Sequence, residues 1–352
     1  MILRKDAESL VSAENGRQVA LEKMAILRIL SNSQGALGSK KISKQLRDEY
    51  GIDLAERTVR YHLRLLDEKG LTSKVSRRSG RQVTELGKDE MGDALVRDKV
   101  GFVIDKIELL AYETTFDPVR REGLIPVNLS LFSVGQFDIA IRAMKDCFDS
   151  GLCVSDLVAV ATEGERLAGI TIPQGQVGLA TVCSVIINGV LLKVGIPMDS
   201  RFGGILQMHN HYPWRFSDLI QYSGSSLDPS EIFIAGRMTS IDSVVKTGRG
   251  KILANFREIP AVSLPLARDI ISKLRKAGIN APLLLGEPNK TACEMPVGLN
   301  KAGVVLAGGL NPLAAAVEAG CRVTNKAMNG MLNYGDLRPF KRIARDRLSA
   351  SA

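Results

Sequence analysis

Between Lys40 and Val83 the chain reads KKISKQLRDEYGIDLAERTVRYHLRLLDEKGLTSKVSRRSGRQV. The pattern predicts a helix, a turn at Gly51, a second helix from about Glu56 to Lys69, and then a β-hairpin. In the second helix Val59, Leu63 and Leu66 recur at i, i+4 and i+7 and form one apolar face. That leaves Arg57, Thr58, Arg60, Tyr61 and Arg64 on or beside the other face. The hairpin strands, Leu71–Val75 and Gln82–Thr84, join through a tip that carries Arg77, Arg78 and Arg81, with Gly80 as the turn signal. A helix-turn-helix followed by a basic-tipped hairpin is a winged helix. Twelve Lys or Arg against six Asp or Glu give this stretch +6 of the whole chain's +9.

That layout points to DNA. A helix fits the major groove, where Arg pairs bidentately with guanine and Thr touches a thymine methyl. The wing arginines would lie on phosphate or in the minor groove and supply salt-dependent affinity. Lys44 and Lys74 complete the expected DNA-binding set. The alternatives are a solvated charged helix, or a winged helix used only for protein contacts; a basic wing and a basic recognition face occurring together favour DNA.

A winged helix leaves more than two hundred of the 352 residues, enough for further domains with real cores. With 45% apolar residues and only 5% aromatic ones, those cores are expected to be aliphatic. Cys147, Cys153, Cys183, Cys293 and Cys321 form no CxxC and take no ligand-type spacing with His62, His209 or His211. Reduced thiols in a cytoplasmic protein, with no metal site, are the expectation. The opening MILRKDAESL is charged too early for a signal peptide. The apolar run Val177–Ile196 contains Asn188, Lys193 and three glycines, which fits a buried strand and helix better than a membrane span.

In order, residues 1–17 read as a polar arm and Gln18–Leu30 as an amphipathic helix beneath the winged helix, which closes near residue 84. Residues 85–123 read as a helical connector, which also could contact a dimer mate, and 341–352 as a basic tail. The region 124–340 alternates short β-branched runs with helices and is expected to be an α/β effector-binding domain, making the chain mixed α+β overall. Its halves, about 124–200 and 250–325, look alike: Pro173 and Pro296, Gly175 and Gly298, Asn188 and Asn311, and Val194 and Val317 are each 123 residues apart. The expectation is an internal duplication of two β-α-β-β-β-α units about a pseudo-two-fold axis, with coincidence as the alternative.

Each half then has a buried strand running into a helix that Asn188 or Asn311 would cap. Helix N-termini favour anions, so two facing ones could hold a small dianion, with Gly308 and Gly309 allowing close approach. Cys183, Ser184 and Gly189 flank the first terminus. Arg201, Arg237 and Arg257 are cationic candidates; Arg201 and Arg237, with Thr239, are placed in the expected effector site. Plain capping without a ligand is the alternative for either terminus alone. No nucleophile with a base, P-loop or dinucleotide fingerprint occurs, so no catalytic residues and no cofactor are expected.

ERTVRYHLRLLDEKGL joined to GLATVCSVIINGVLLKVGIP, YSGSSLDPSEIF and ILANFREIP resembles the NrpR family of archaeal nitrogen-regulatory repressors. The resemblance covers about Gln18 to Asn333. It implies a homodimer on an inverted-repeat operator of nitrogen-assimilation genes, released when 2-oxoglutarate binds the C-terminal domain. Some members carry two effector domains; this chain has room for one, which leaves two alternatives, acting alone or together with a second NrpR-type protein. Two other readings stay open: a redox regulator working through Cys147 and Cys153, and a DNA-binding module fused to a small-molecule enzyme.

Overall fold

The computed structural model describes residues 19, 22–33, 35–76, 80–88, 102–280 and 282–350. The expected polar arm, the wing-tip residues Arg77 and Arg78, and the middle of the expected connector lie outside these residues. The chain separates into two compact units, divided between Lys99 and Val100.

The first unit contains a helix over residues 22–32 (α1), α2 (Ser39–Tyr50), α3 (Glu56–Glu68) and a hairpin of β1 (Thr72–Ser76) and β2 (Gly80–Val83). Helix α2 stops where the sequence predicts. Gly51 takes the left-handed conformation (φ 65°) and its N–H donates back to Leu46, a position that suits a residue without Cβ. Ile26, Leu30, Ile42, Leu46, Val59, Leu63 and Leu66 form one buried core, so the i, i+4, i+7 face of α3 points inward. The glycine of the wing has a further role. Gly80 (φ 86°) begins β2 where any side chain would run into the Leu37 carbonyl, and Leu37 itself bridges to Arg81.

The second unit opens with α4 (Phe102–Glu113). There follow β3 (Leu124–Ser133), α5 (Val134–Asp149), β4 (Leu157–Thr162), a two-residue-per-strand hairpin of β5 (Arg166–Leu167) and β6 (Ile170–Thr171), β7 (Gln176–Val182), and α6 (Val185–Lys193). The middle holds β8 (Asp199–His209), β9 (Tyr212–Gln221), α7 (Pro229–Ala235) and α8 (Ile241–Thr247). The remainder is β10 (Gly250–Pro260), α9 (Leu264–Lys276), β11 (Leu284–Pro288), β12 (Lys301–Ala307), α10 (Asn311–Glu318), β13 (Thr324–Asn333), β14 (Arg338–Pro339) and α11 (Phe340–Ala350). Two five-stranded sheets result, ordered β13-β3-β7-β4-β14 and β11-β12-β10-β8-β9.

The two sheets repeat one connectivity, β-α-β-β-α-β, and each receives its fourth strand from the other half. β8 follows the first half yet pairs with β10, whereas β13 follows the second and pairs with β3. Val127 faces Val182 in one sheet and Ala254 faces Ala307 in the other. Asn128 and Asn255, one residue further along their strands, therefore occupy equivalent places.

This register corrects the sequence alignment. Asn188 lies inside α6, whose N-cap is Ser184, and Asn311 is the first residue of α10 after Leu310. The two asparagines are neither caps nor equivalents. Helix α6 is buried on every side from Val185 to Leu191, so periodicity carries no information on where it begins. Other differences are local. Cys293 and Glu294, both at positive φ, form a turn closed by the Ala292–Met295 bridge. His209-Asn210-His211 makes the β8–β9 turn, with Asn210 and His211 also at positive φ. The expected basic tail is helical to Ala350 and seated on the core, Phe340 stacking on Phe148 with centroids 4.1 Å apart. Among the described residues no helix is long and apolar enough to cross a membrane.

Candidate functional site

On the first unit, α3 presents Arg57, Arg60, Tyr61 and Arg64 to solvent, with Thr58 half-buried. Arg60 lies 3.8 Å from Glu56 and Arg64 3.7 Å from Glu68. Both are exposed i,i+4 pairs worth a few tenths of a kcal/mol, so a phosphate or a guanine edge outcompetes them readily. The Arg64 guanidinium sits 5.6 Å from the Tyr61 ring centroid, which keeps both side chains on one surface. Lys44 on α2 and Lys74 on β1 are exposed as well. Arg81 differs. Its Nε donates to Asp67 at 2.6 Å, and Asp67 also accepts from the Thr72 hydroxyl at 2.6 Å. Arg81 thus fastens the wing to the end of α3 rather than reaching outward. A buried pair, His62 Nε2 3.0 Å from Glu22 Oε2, ties α3 to α1.

On the second unit the informative residue is Arg257, in the middle of β10. It is 1% exposed. Its Nη2 donates to the Ser184 hydroxyl at 3.0 Å, and its Nη1 lies 3.8 Å from the Met198 sulfur. Its Nε has no acceptor, and among the described residues no carboxylate lies within 4 Å of it. Burial pulls its pKa below the ordinary arginine value. Around it the Asn255 amide donates to Ser184 at 3.2 Å, and the Tyr222 hydroxyl donates to the Asn255 carbonyl. Burial raises the Tyr222 phenol and pushes the Cys183 thiol up to about 11. These groups line a small pocket of about 20 Å³, which Asn128, the desolvated Asp228 carboxyl, Gly309 and Ile107 of α4 also border. Met198, Asn188, Ser200, Phe256 and Arg201 line a cleft of about 520 Å³, and Ile107 borders that cleft too.

A model of the NrpR regulatory domains NRD1 and 2 matches residues 100–339, well over half of the chain. The chain belongs to the NrpR family. A Ribonuclease R winged-helix domain model matches residues 24–91. The global nitrogen regulator NrpRI of Methanosarcina mazei is 39% identical over 90% of this chain and 97% of its own length. Global nitrogen regulators NrpR of Methanococcus maripaludis and Methanocaldococcus jannaschii are 32% and 30% identical. The chain spans only 51% and 56% of those two proteins. A solved nitrogen repressor-like protein of Methanococcus jannaschii superposes with a TM-score of 0.58 at 27% identity, covering 68% of this chain and 98% of that one.

In this NrpR-family chain the expected effector residues scatter. Cys183, Ser184 and Gly309 border the pocket, and Asn188 and Arg201 line the cleft. Gly189 lets α6 pack on Thr114, and Gly308 fits against the Leu253 backbone. Asn311 is a structural clamp. Its carbonyl accepts from Leu253 N at 2.8 Å, and its amide donates to Leu152 O at 2.7 Å and Leu253 O at 3.0 Å. Thr239 donates to Glu318 at 2.6 Å, and Glu318 also accepts from the first N–H groups of α8. Arg237 follows α7 at positive φ (51°). Neither Thr239 nor Arg237 borders the pocket or the cleft. Ser184 rather than Asn188 is the N-cap of α6, and Asn311 is engaged with the Leu152 and Leu253 backbone, so the two asparagines do not form a matched pair of caps. Asn128, Tyr222 and Asn255 carried no sequence signal, since single polar residues in β runs look alike.

Proposed function

We propose that this chain is a transcriptional repressor of nitrogen-assimilation genes. It binds an inverted-repeat operator as a homodimer, or together with a second NrpR-type protein, and lets go when 2-oxoglutarate occupies its regulatory unit. The observation that carries the reading is the open basic face of α3, with Arg57, Arg60 and Arg64 exposed beside Tyr61, in a chain whose other unit is NrpR regulatory domain. Family membership supports the nitrogen signal. The cleft beside Arg257 supports a small-molecule effector, having room for a dicarboxylate.

For an effector to switch repression it must prefer one arrangement of the protein over another; equal affinity shifts nothing. Helix α4 is the element through which we propose this happens. Ile107 on it borders both pocket and cleft, and Lys106 donates to Ala327 O at 3.1 Å. The chain upstream of α4 leads to the winged helix, so displacing α4 would alter half-site spacing. The redox reading loses its support: all five cysteines are buried, and burial pushes the Cys153 thiol up to about 12, so little reactive thiolate forms at neutral pH.

The test is operator binding by fluorescence anisotropy at fixed salt while 2-oxoglutarate is titrated, with succinate and glutamate as controls. Release by 2-oxoglutarate alone is the expected result. Tight binding indifferent to it would sink the effector and keep the winged helix.

A further inference from the structure

We infer that the last helix, α11, is a second DNA-contacting surface, on which Lys341, Arg342 and Arg345 hold phosphates of the duplex flanking the operator. The inference goes beyond the repressor reading and rests on its first part, that the chain sits on DNA.

Five Lys or Arg against one acid give residues 338–347 a net charge of +4. Together with the +6 of the winged-helix stretch, this leaves the remainder of the chain at −1. The positive charge is therefore gathered in two places rather than spread, as for a polyanionic partner. One place is the winged helix. The other, α11, begins just past residue 339, where the match to the NrpR regulatory domains ends.

Packing orients the helix. Phe340 and Ala344 are buried, Ile343 and Leu348 pack against the same core, and the Arg347 guanidinium lies 5.4 Å from the Phe137 ring centroid. Phe340, Ala344 and Arg347 stand at i, i+4 and i+7, so that stripe faces inward. Lys341, Arg342 and Arg345 fall together on the outward arc and are all exposed. The apolar face is already against the core, so none is left to enter a lipid surface.

Other helices of this unit answer their lysines with an acid one turn away. Lys145 pairs with Asp149 at 2.9 Å, Lys246 with Asp242 at 2.8 Å and Lys273 with Asp269 at 2.7 Å. On α11, among the described residues, no carboxylate lies within 4 Å of Lys341 or Arg342, and the single acid, Asp346, stands 3.7 Å from Arg345. Lys341 and Arg342 also occupy the first turn, where the helix dipole disfavours cations, and Lys341 repels Arg345 at i,i+4. A polyanion relieves both penalties. Arginine pairs bidentately with phosphate, and a chain already held by its winged helix meets nearby phosphates at high effective concentration. A groove of about 510 Å³ beside these cations is floored by Pro339, Ala344 and Leu348. Ala344 is buried and Leu348 half-buried, which leaves little apolar surface for an acidic peptide, the rival occupant.

The test is anisotropy of the full chain over a salt series, on a duplex ending at the operator and on one extended beyond it on both sides. Wild type is compared with the triple variant Lys341→Gln/Arg342→Gln/Arg345→Gln and with a control of equal charge, Lys246→Gln/Lys273→Gln/Lys290→Gln. On the extended duplex the α11 variant is expected to bind more weakly, with a log–log salt slope shallower by about 2–3 per protomer. On the short duplex it should match wild type, and hydroxyl-radical protection outside the operator should vanish. The control should match wild type on both. An unchanged slope on the extended duplex, or an equal loss in the control, would overturn the surface. Full DNA binding by the α11 variant with loss of a poly-L-glutamate affinity that wild type shows would assign α11 to an acidic peptide instead. Operator binding indifferent to 2-oxoglutarate would sink the effector reading and leave this one standing, whereas a wild-type chain that binds neither duplex would overturn both.

Discussion

Arg60 and Arg257 are the same side chain in opposite surroundings. Arg60 stands in water on a helix and shares a loose pair with Glu56, so its charge is cheap to keep and free to be spent on a partner. Arg257 is buried in a sheet with no carboxylate within 4 Å among the described residues, so its charge is costly to keep. The first charge is screened by water, whereas the second is held by hydrogen bonds from the packing around it. The contrast also separates what each mutation should damage: binding alone at the surface, a balance of binding and stability inside.

The largest effect should come from a buried polar residue that is structural. Asn311→Ala leaves the Leu152 and Leu253 backbone groups unpaired and should cost roughly 3–5 kcal/mol, read as a fall in the denaturant midpoint. If stability held and only effector response disappeared, Asn311 would belong with Arg257 instead of opposing it. Next is Arg60→Ala, expected to weaken operator binding by about 1–3 kcal/mol while non-specific binding falls much less. Equal losses on both DNAs would demote Arg60 to a phosphate contact. Arg81→Ala should cost roughly 1 kcal/mol of winged-helix stability through the lost Asp67 bond, visible in hydrogen exchange of the β1–β2 amides. Lys44→Ala sits at the bottom: a small, sequence-independent loss, and a salt slope shallower by about one. Thiol alkylation checks the interior from another side. With Cys153 raised to about 12 and Cys183 to about 11, iodoacetamide at pH 8 should modify the native chain slowly and the denatured chain at all five cysteines.

Legibility followed surroundings too. The α3 face was readable because Val59, Leu63 and Leu66 fix which way the helix turns, so the arginines between them must face out. Arg257 was readable only as one arginine among three, because ILANFREIP is a strand whichever residues meet it across the sheets. The likeness between the halves was visible, but its register was not. Matching Asn188 to Asn311 equated an inner helical residue with a first-turn one. Nor did anything in the chain announce that β8 and β13 exchange sheets, or that Arg81 turns back to Asp67.

By itself, then, the sequence determined the winged helix, its charge and the αβ alternation beyond it, since these rest on periodicity, turn residues and composition within short spans. Only the tertiary structure decided which cation is buried. Ser184, Tyr222, Asn255 and Arg257 converge because strands and helices far apart in the chain pack together, and desolvation, which gives Arg257 its chemistry, is a property of that packing and of no local pattern.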